Sequence, residues 1–358
     1  MIETVNPTID PIEHEAVKYD PFPASLLDRF MEAVQRLPIP YWLTYLGLFI
    51  LENIIAHTLS WIDGWLPVFK LNPILILFPL WQWGPFALIT YLNSISREAI
   101  SSFAPLLDIK KEELEQLKNE FTHMPGRSVF ISGAIWSLVY FMFTYAGFRS
   151  FYLPNHIGTW LIGIFIVEGL ASFSTGSIIY YHSIRQLRLI NRIVRTVKGF
   201  NLFHLDPVYA FSLVTSRTGI SWVILSSLTL LMFPVQIALV PIITMLVFQI
   251  GLAISAFMLP LQIVHHHLVL EKRRLLKEHH KRLESVLAQL HHSIDKKDLT
   301  EVMQLNNAIS GLNAERDILT KIPTYPWRSG MLTNFLSISV LPIILFLIQF
   351  ALGHWLGK

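Results

Sequence analysis

The sequence predicts an all-α, polytopic membrane protein. It should have seven transmembrane helices, the amino terminus inside, the carboxyl terminus outside, and a cytoplasmic helical hairpin between spans six and seven. Three observations carry this expectation. Hydrophobic residues make up 53% of the 358 and charged ones only 15%, a balance outside the soluble range. Apolar windows recur at 41–61, 73–92, 129–146, 158–181, 219–239, 241–264 and 330–353. Each approaches the roughly 20 residues that a helix needs to cross a hydrocarbon core about 30 Å thick. Lys and Arg fall on alternate connections: 3 before the first window, then 5, 6 and 11 in every second loop, which is 25 of the 28. Only Lys70, Arg149 and Lys358 lie on the other side. That asymmetry sets the orientation by the positive-inside pattern.

Four segments follow: a cytoplasmic amino-terminal piece (1–40), a six-span region with cytoplasmic helical loops (41–264), a cytoplasmic helical hairpin (265–328), and the seventh span with a short outer tail (329–358). The first 20 residues lack the basic start and apolar core of a cleavable signal peptide, so the first span is expected to act as its own insertion signal. Residues 24–37 read as an amphipathic helix, with Leu26, Leu27, Phe30, Met31, Val34 and Leu37 on one face. It either lies in the interface or packs under the bundle. Trp42, Trp61, Trp160, Trp327 and Trp355 mark span ends, where amphipathic rings favour the headgroup level.

Between spans two and three, 110–123 is a charged helix ended by Pro125 and Gly126. Span four is expected to continue past the membrane to Lys198, stopping at Gly199. Its extension carries Arg185, Arg188, Arg192 and Arg195 at helical spacing, a stripe suited to anionic lipid headgroups or to a subunit contact. Asp206 and Pro207 read as an N-cap and first-turn proline restarting a helix into span five. Spans five and six form one apolar run about twice a span long, with Pro241 expected at the outer hairpin. The hairpin, 268–321, has apolar stripes through Leu275, Leu283 and Leu290 on one arm and Leu305, Ile309 and Leu312 on the other, with a charged turn at 295–298. At the helical rise it is a stalk about 40 Å long. Its stripe must bury against the other arm, neighbouring extensions or another subunit.

Charge within the windows is confined to Glu52 and Glu168, with His57 as a titratable addition. Intramembrane carboxyls are costly and often functional, so the pair suggests a shared proton or cation. The ordinary alternative is a protonated carboxyl, or one bonded to groups such as Asn53 or Ser172. The histidine pairs and triplet at 265–267, 279–280 and 291–292 point in diverging directions along a helix and predict no metal site. Cysteine is absent, which removes disulfides and thiolate ligands and leans towards a prokaryotic inner (plasma) membrane. The net charge of +3 resides where inner-face charge belongs, so no nucleic-acid partner is read from it. No Walker loop, nucleophile elbow or His-Glu-x-x-His occurs; neither an enzyme nor a bound cofactor is expected.

The last window is polar at its inner half (Thr333, Asn334, Ser337, Ser339), aliphatic through its middle, and ends near Gln349. Such a helix either lines a pore with an apolar constriction, through Asn334, Ser337, Leu341, Leu345 and Gln349, or packs inside a bundle. The stretch 342–350 contains Leu347, Gln349 and Phe350 at the spacing Leu, one residue, Gln-Phe, with Pro342-Ile343 where a Thr-Tyr pair would stand. In this motif and in the inverted seven-span topology, the chain resembles the seven-transmembrane ion channel superfamily that includes insect odorant and gustatory receptors. The resemblance implies a homotetramer joined by its inner helices, with the seventh span lining a ligand-gated cation pore. Membrane lipids, further copies of the chain, and an unidentified small molecule or ion are then the expected partners. Left open beside it are a proton-coupled transporter using Glu52 and Glu168, and a membrane scaffold or sensor signalling through the stalk.

Overall fold

The computed structural model describes residues 22–107, 109–145, 158–197, 200–232 and 239–356. These residues are almost entirely helical; the β-pairing among them is an isolated bridge between Ala24 and Pro125. The helices are α1 (Leu26–Gln35), α2 (Tyr41–Ile62), α3 (Pro73–Phe103), α4 (Lys111–Thr122), α5 (Gly126–Phe143) and α6 (Thr159–Thr196). They continue with α7 (Asp206–Met232), α8 (Leu239–Asp295), α9 (Leu299–Lys321), α10 (Met331–Ser339) and α11 (Leu341–Leu356). Six helices are long and apolar enough to cross a membrane, with α10 and α11 counted as one. That is consistent with a membrane-embedded protein. The third window appears as α5, whose apolar stretch Gly126–Met142 is shorter, and the expected continuation beyond 145 lies outside the described residues.

Local chemistry explains the boundaries. Ser25 caps α1 in a reciprocal box: its hydroxyl accepts from Asp28 N at 3.1 Å, and Asp28 Oδ2 accepts from Ser25 N at 3.0 Å. Asn72 caps α3 through Ile74 N at 2.9 Å, with Pro73 at the first helical position. Asp298 caps α9 through Thr300 N and Glu301 N, both 3.1 Å. α6 reaches Thr196; Lys198 and Gly199 lie outside the described residues. Two readings are corrected. Pro241 is helical within α8, and residues 233–238 between α7 and α8 are not among those described. Asp206 is the first residue of α7 rather than its cap, because Leu205 O accepts from Val208 N and Tyr209 N at 3.0 Å. The Asp206 carboxylate instead meets Arg328 at 2.9 Å.

The last window is also broken, at Val340. Pro342 has no N–H for the carbonyl of Ile338, so the helical ladder is interrupted and restarts, with Val340 O accepting from Ile344 N at 3.1 Å.

α3 and α7 form the centre. α3 packs on α2, α6 and α7, while α7 packs on α3, α8 and the last helices. Of α7's apolar window 67% is buried, against 17% for the last, so α7 is an interior helix and the last pair is peripheral. One core lies at mid-height around Phe86, Ile179, Trp222 and Phe257. A second gathers at the α4 end, where the prolonged ends of α3, α6, α7 and α8 bury Phe103, Phe121, Ile193, Phe211 and Leu268. Beyond it, α8 and α9 run on as an antiparallel pair. Along that pair Leu283, Val286, Leu290, Leu305, Ile309 and Leu312 are only partly buried.

Candidate functional site

Proline makes the α3–α6 interface polar. Pro85 removes the amide that would bond the carbonyl of Trp81, and Thr175 Oγ1 stands 3.2 Å from that oxygen and 2.8 Å from Ala171 O. One turn away, Ser172 Oγ lies 2.8 Å from both Phe78 O and Glu168 O. The Thr175 hydroxyl on the neighbouring helix thus re-satisfies the carbonyl that Pro85 leaves without a donor, while Ser172 adds a second bond to a carbonyl that Gln82 N can already serve. Gly176 lets the Trp81 ring sit against α6, since a Cβ there would stand 3.0 Å from it.

Glu168 belongs to this seam. It is 8% exposed, and neither carboxyl oxygen has a hydrogen-bond donor among the described residues. Glu52 lies within electrostatic range of it and accepts from Trp83 Nε1. The partners proposed from sequence are engaged elsewhere: Asn53 Nδ2 donates to Phe49 O at 2.8 Å, and Ser172 serves the backbone. His57 is set apart. Its Nε2 accepts from Asn72 N at 3.2 Å, which leaves Nδ1 to donate to Asn53 O at 2.8 Å. It ties α2 to the start of α3.

The last helix pair seats one face on α7 and α8. Phe335 fills a notch at Gly219, where a Cβ would stand 2.6 Å from its ring and 2.8 Å from Ala253 O. Its ring stacks on Phe257 at 4.6 Å. Leu345 and Phe346 pack against Leu230 and Leu246, and Gln349 Nε2 reaches Leu231 O at 3.4 Å. The opposite face is bare: Asn334, Ser337, Leu341, Ile344 and Ile348 recur at helical spacing and are all exposed. Of the five positions expected to line a pore, Asn334, Ser337 and Leu341 share that face. Leu345 and Gln349 sit on the flank towards α7.

The arginine stripe divides. Arg185 donates to His123 O at 2.5 Å, and its guanidinium lies 5.0 Å above the Phe22 ring. Arg192 pairs with Glu120, whose side chain is 8% exposed. Arg188 and Arg195 are exposed. Among the histidines, His265 stacks on Tyr325 at 4.7 Å, and His279 Nδ1 lies 3.4 Å from Glu315. Among the described residues no group of three His, Asp or Glu side chains is placed to hold a metal ion.

Sequence reasoning missed Trp83 as the partner of Glu52 and Gly219 as the seat of Phe335. The spacing from Pro85 back to Trp81 signals an orphan carbonyl, but not which helix answers it. Together these features define a class: an all-helical protein with six helices suited to a membrane, a buried carboxyl seam, and a peripheral last helix with one bare face. Comparison with protein-family models, curated proteins and solved structures finds no match to this chain.

Proposed function

We propose that the chain is one protomer of a homotetrameric, ligand-gated cation channel, with seven spans, amino terminus inside and carboxyl terminus outside, in a prokaryotic plasma membrane. The bare face of the last helix pair carries this reading. An amide and a hydroxyl, Asn334 and Ser337, stand exposed on an apolar helix that is seated on its own protomer only by its other face. Facing lipid they would lack partners; facing an aqueous lumen they would be hydrated. Leu341, Ile344 and Ile348 then supply an apolar constriction on the same face. The partly buried stripe of the α8–α9 pair supports the tetramer, because further copies would cover it. The resemblance to the seven-transmembrane channels supports the same arrangement, as do Arg188 and Arg195, which are free to meet anionic lipid or a neighbouring copy.

The test is mass measurement in nanodiscs followed by planar-bilayer recording. A tetramer whose conductance changes on Asn334→Leu or Leu341→Asn is expected; a non-conducting monomer overturns the reading. The absence of native cysteine allows a topology check. Lys358→Cys should react with an impermeant reagent from outside, and Asp295→Cys should not.

A second reading, a proton-coupled transporter, is favoured by one observation: Glu168, without a donor among the described residues, lies within electrostatic range of Glu52. Monomeric pH-driven flux abolished by joint replacement of both carboxylates with Gln would select it.

A further inference from the structure

We propose that the loop between α2 and α3, residues 63–72, is an interfacial anchor whose tip inserts Val68, Phe69 and Leu71 into the boundary between lipid headgroups and acyl chains. The first half of the loop folds back on the bundle. Leu66 is buried and its N donates to Ser60 O at 3.2 Å, the Trp65 ring lies 5.6 Å from that of Phe165, and Asp63 Oδ2 accepts from Gly158 N at 3.0 Å. The second half turns outward. Val68, Phe69 and Leu71 are exposed, as is Ile62 at the end of α2. An apolar group of this kind marks a surface that meets another protein or a membrane.

The backbone at Phe69 is specialised for this exposure. Lys70 N donates to Pro67 O at 3.0 Å, closing a turn with Phe69 at its third position and a φ of 64°. A turn that needs positive φ there favours glycine, and a bulky residue adopts it only at a cost. Trp61 braces the turn: its Nε1 donates to Lys70 O at 2.9 Å, and its ring lies 5.8 Å from that of Phe69. The result is an aromatic ring 86% exposed on a strained, supported tip. In water nothing offsets the strain and the exposure; in lipid, burial of the ring does. The place of the loop selects lipid as the partner. α2 and α3 are both suited to cross a membrane, and α3 is apolar from Pro73 onward, so both ends of the loop stand at the bilayer boundary. Trp61 supplies the amphipathic ring that headgroup depth favours. Lys70, exposed beside Phe69, can lay its stem along the apolar tip and carry its charge to a lipid phosphate.

The test uses the full chain in phosphatidylcholine nanodiscs, with nitroxide labels on single cysteines, which the absence of native cysteine permits. Val68→Cys and Leu71→Cys are labelled with Phe69 intact, and Ser310→Cys, exposed on α9, is the reference. Collisions with oxygen, which concentrates among acyl chains, are compared with collisions with a water-soluble nickel chelate. An oxygen-to-nickel ratio several-fold above the reference is expected at both positions. Phe69→Gly suits the positive φ and removes the ring, so in the Val68→Cys background it should lower the ratio towards the reference. Melting temperatures identify a variant that misfolds, and the exposed Ile62→Cys can replace either labelled position. A ratio at the tip equal to the reference sets the loop in water and overturns the proposal. Shielding from both reagents overturns it too, with dipolar broadening between labels distinguishing cover by a second copy from cover by the same chain. A ratio unmoved by Phe69→Gly overturns the role of the ring as the anchor. No readout depends on conductance, so failure of the anchor and failure of the channel reading are separate results.

Discussion

The hydroxyl of Thr175 lies 3.2 Å from the carbonyl oxygen of Trp81, the group that Pro85 leaves without its helical donor. The proton is shared with Ala171 O, so the interhelical bond is worth the lower part of the usual range. Thr175→Val should destabilise the protein by about 1 kcal/mol. Pro85→Ala restores the missing amide, so in that background the Thr175 substitution should cost measurably less. A double-mutant cycle of thermal or denaturant unfolding in detergent reads the coupling, and additivity would show that the two features are independent.

The notch at Gly219 is the most demanding steric feature of the last helix. Its neighbours include the backbone oxygen of Ala253 as well as the Phe335 ring, so a methyl group cannot be absorbed by one rotamer change. Gly219→Ala should cost about 1–3 kcal/mol. Phe335→Leu should recover part of that loss by vacating the ring. Melting temperatures of the two single variants and the double variant check this.

Glu120 is buried and Arg192 is its partner, so the two substitutions are unequal. Arg192→Ala leaves a carboxylate unpaired in the core and should destabilise by about 2–3 kcal/mol, scaled down because Arg192 is partly exposed. Glu120→Gln should cost less, and adding it to Arg192→Ala should restore stability. If loss of Arg192 alters only lipid dependence and leaves unfolding unchanged, the pair is not structural.

Among the described residues Glu168 has no donor for either oxygen, so its burial is a cost rather than a contribution. Glu168→Leu should raise the melting temperature, equivalent to about 1 kcal/mol or more. Single-channel conductance should be unchanged if permeation follows the last helix. Loss of pH-dependent flux would move the function to the α3–α6 seam.

The helical class and nearly all the apolar windows were legible in the sequence, because the length of an apolar span is set by bilayer thickness and needs no tertiary information. The caps at Ser25, Asn72 and Asp298 follow equally from local chemistry, since their hydrogen bonds reach only two or three residues. The break at Val340 was written in Pro342, yet an apolar average over the window concealed it. Helical spacing placed Asn334, Ser337 and Leu341 on one face, but only packing decided that this face is bare, because Phe335 occupies the Gly219 notch on the other. The arginine stripe makes the same point. Spacing put four cations together, and the fold took Arg185 and Arg192 into contact with the α4 end while leaving Arg188 and Arg195 exposed. Periodicity fixes which residues share a face of one helix. Which face meets which neighbour depends on small steric fits and orphaned polar atoms between segments distant in sequence, and those exist only once the helices are assembled.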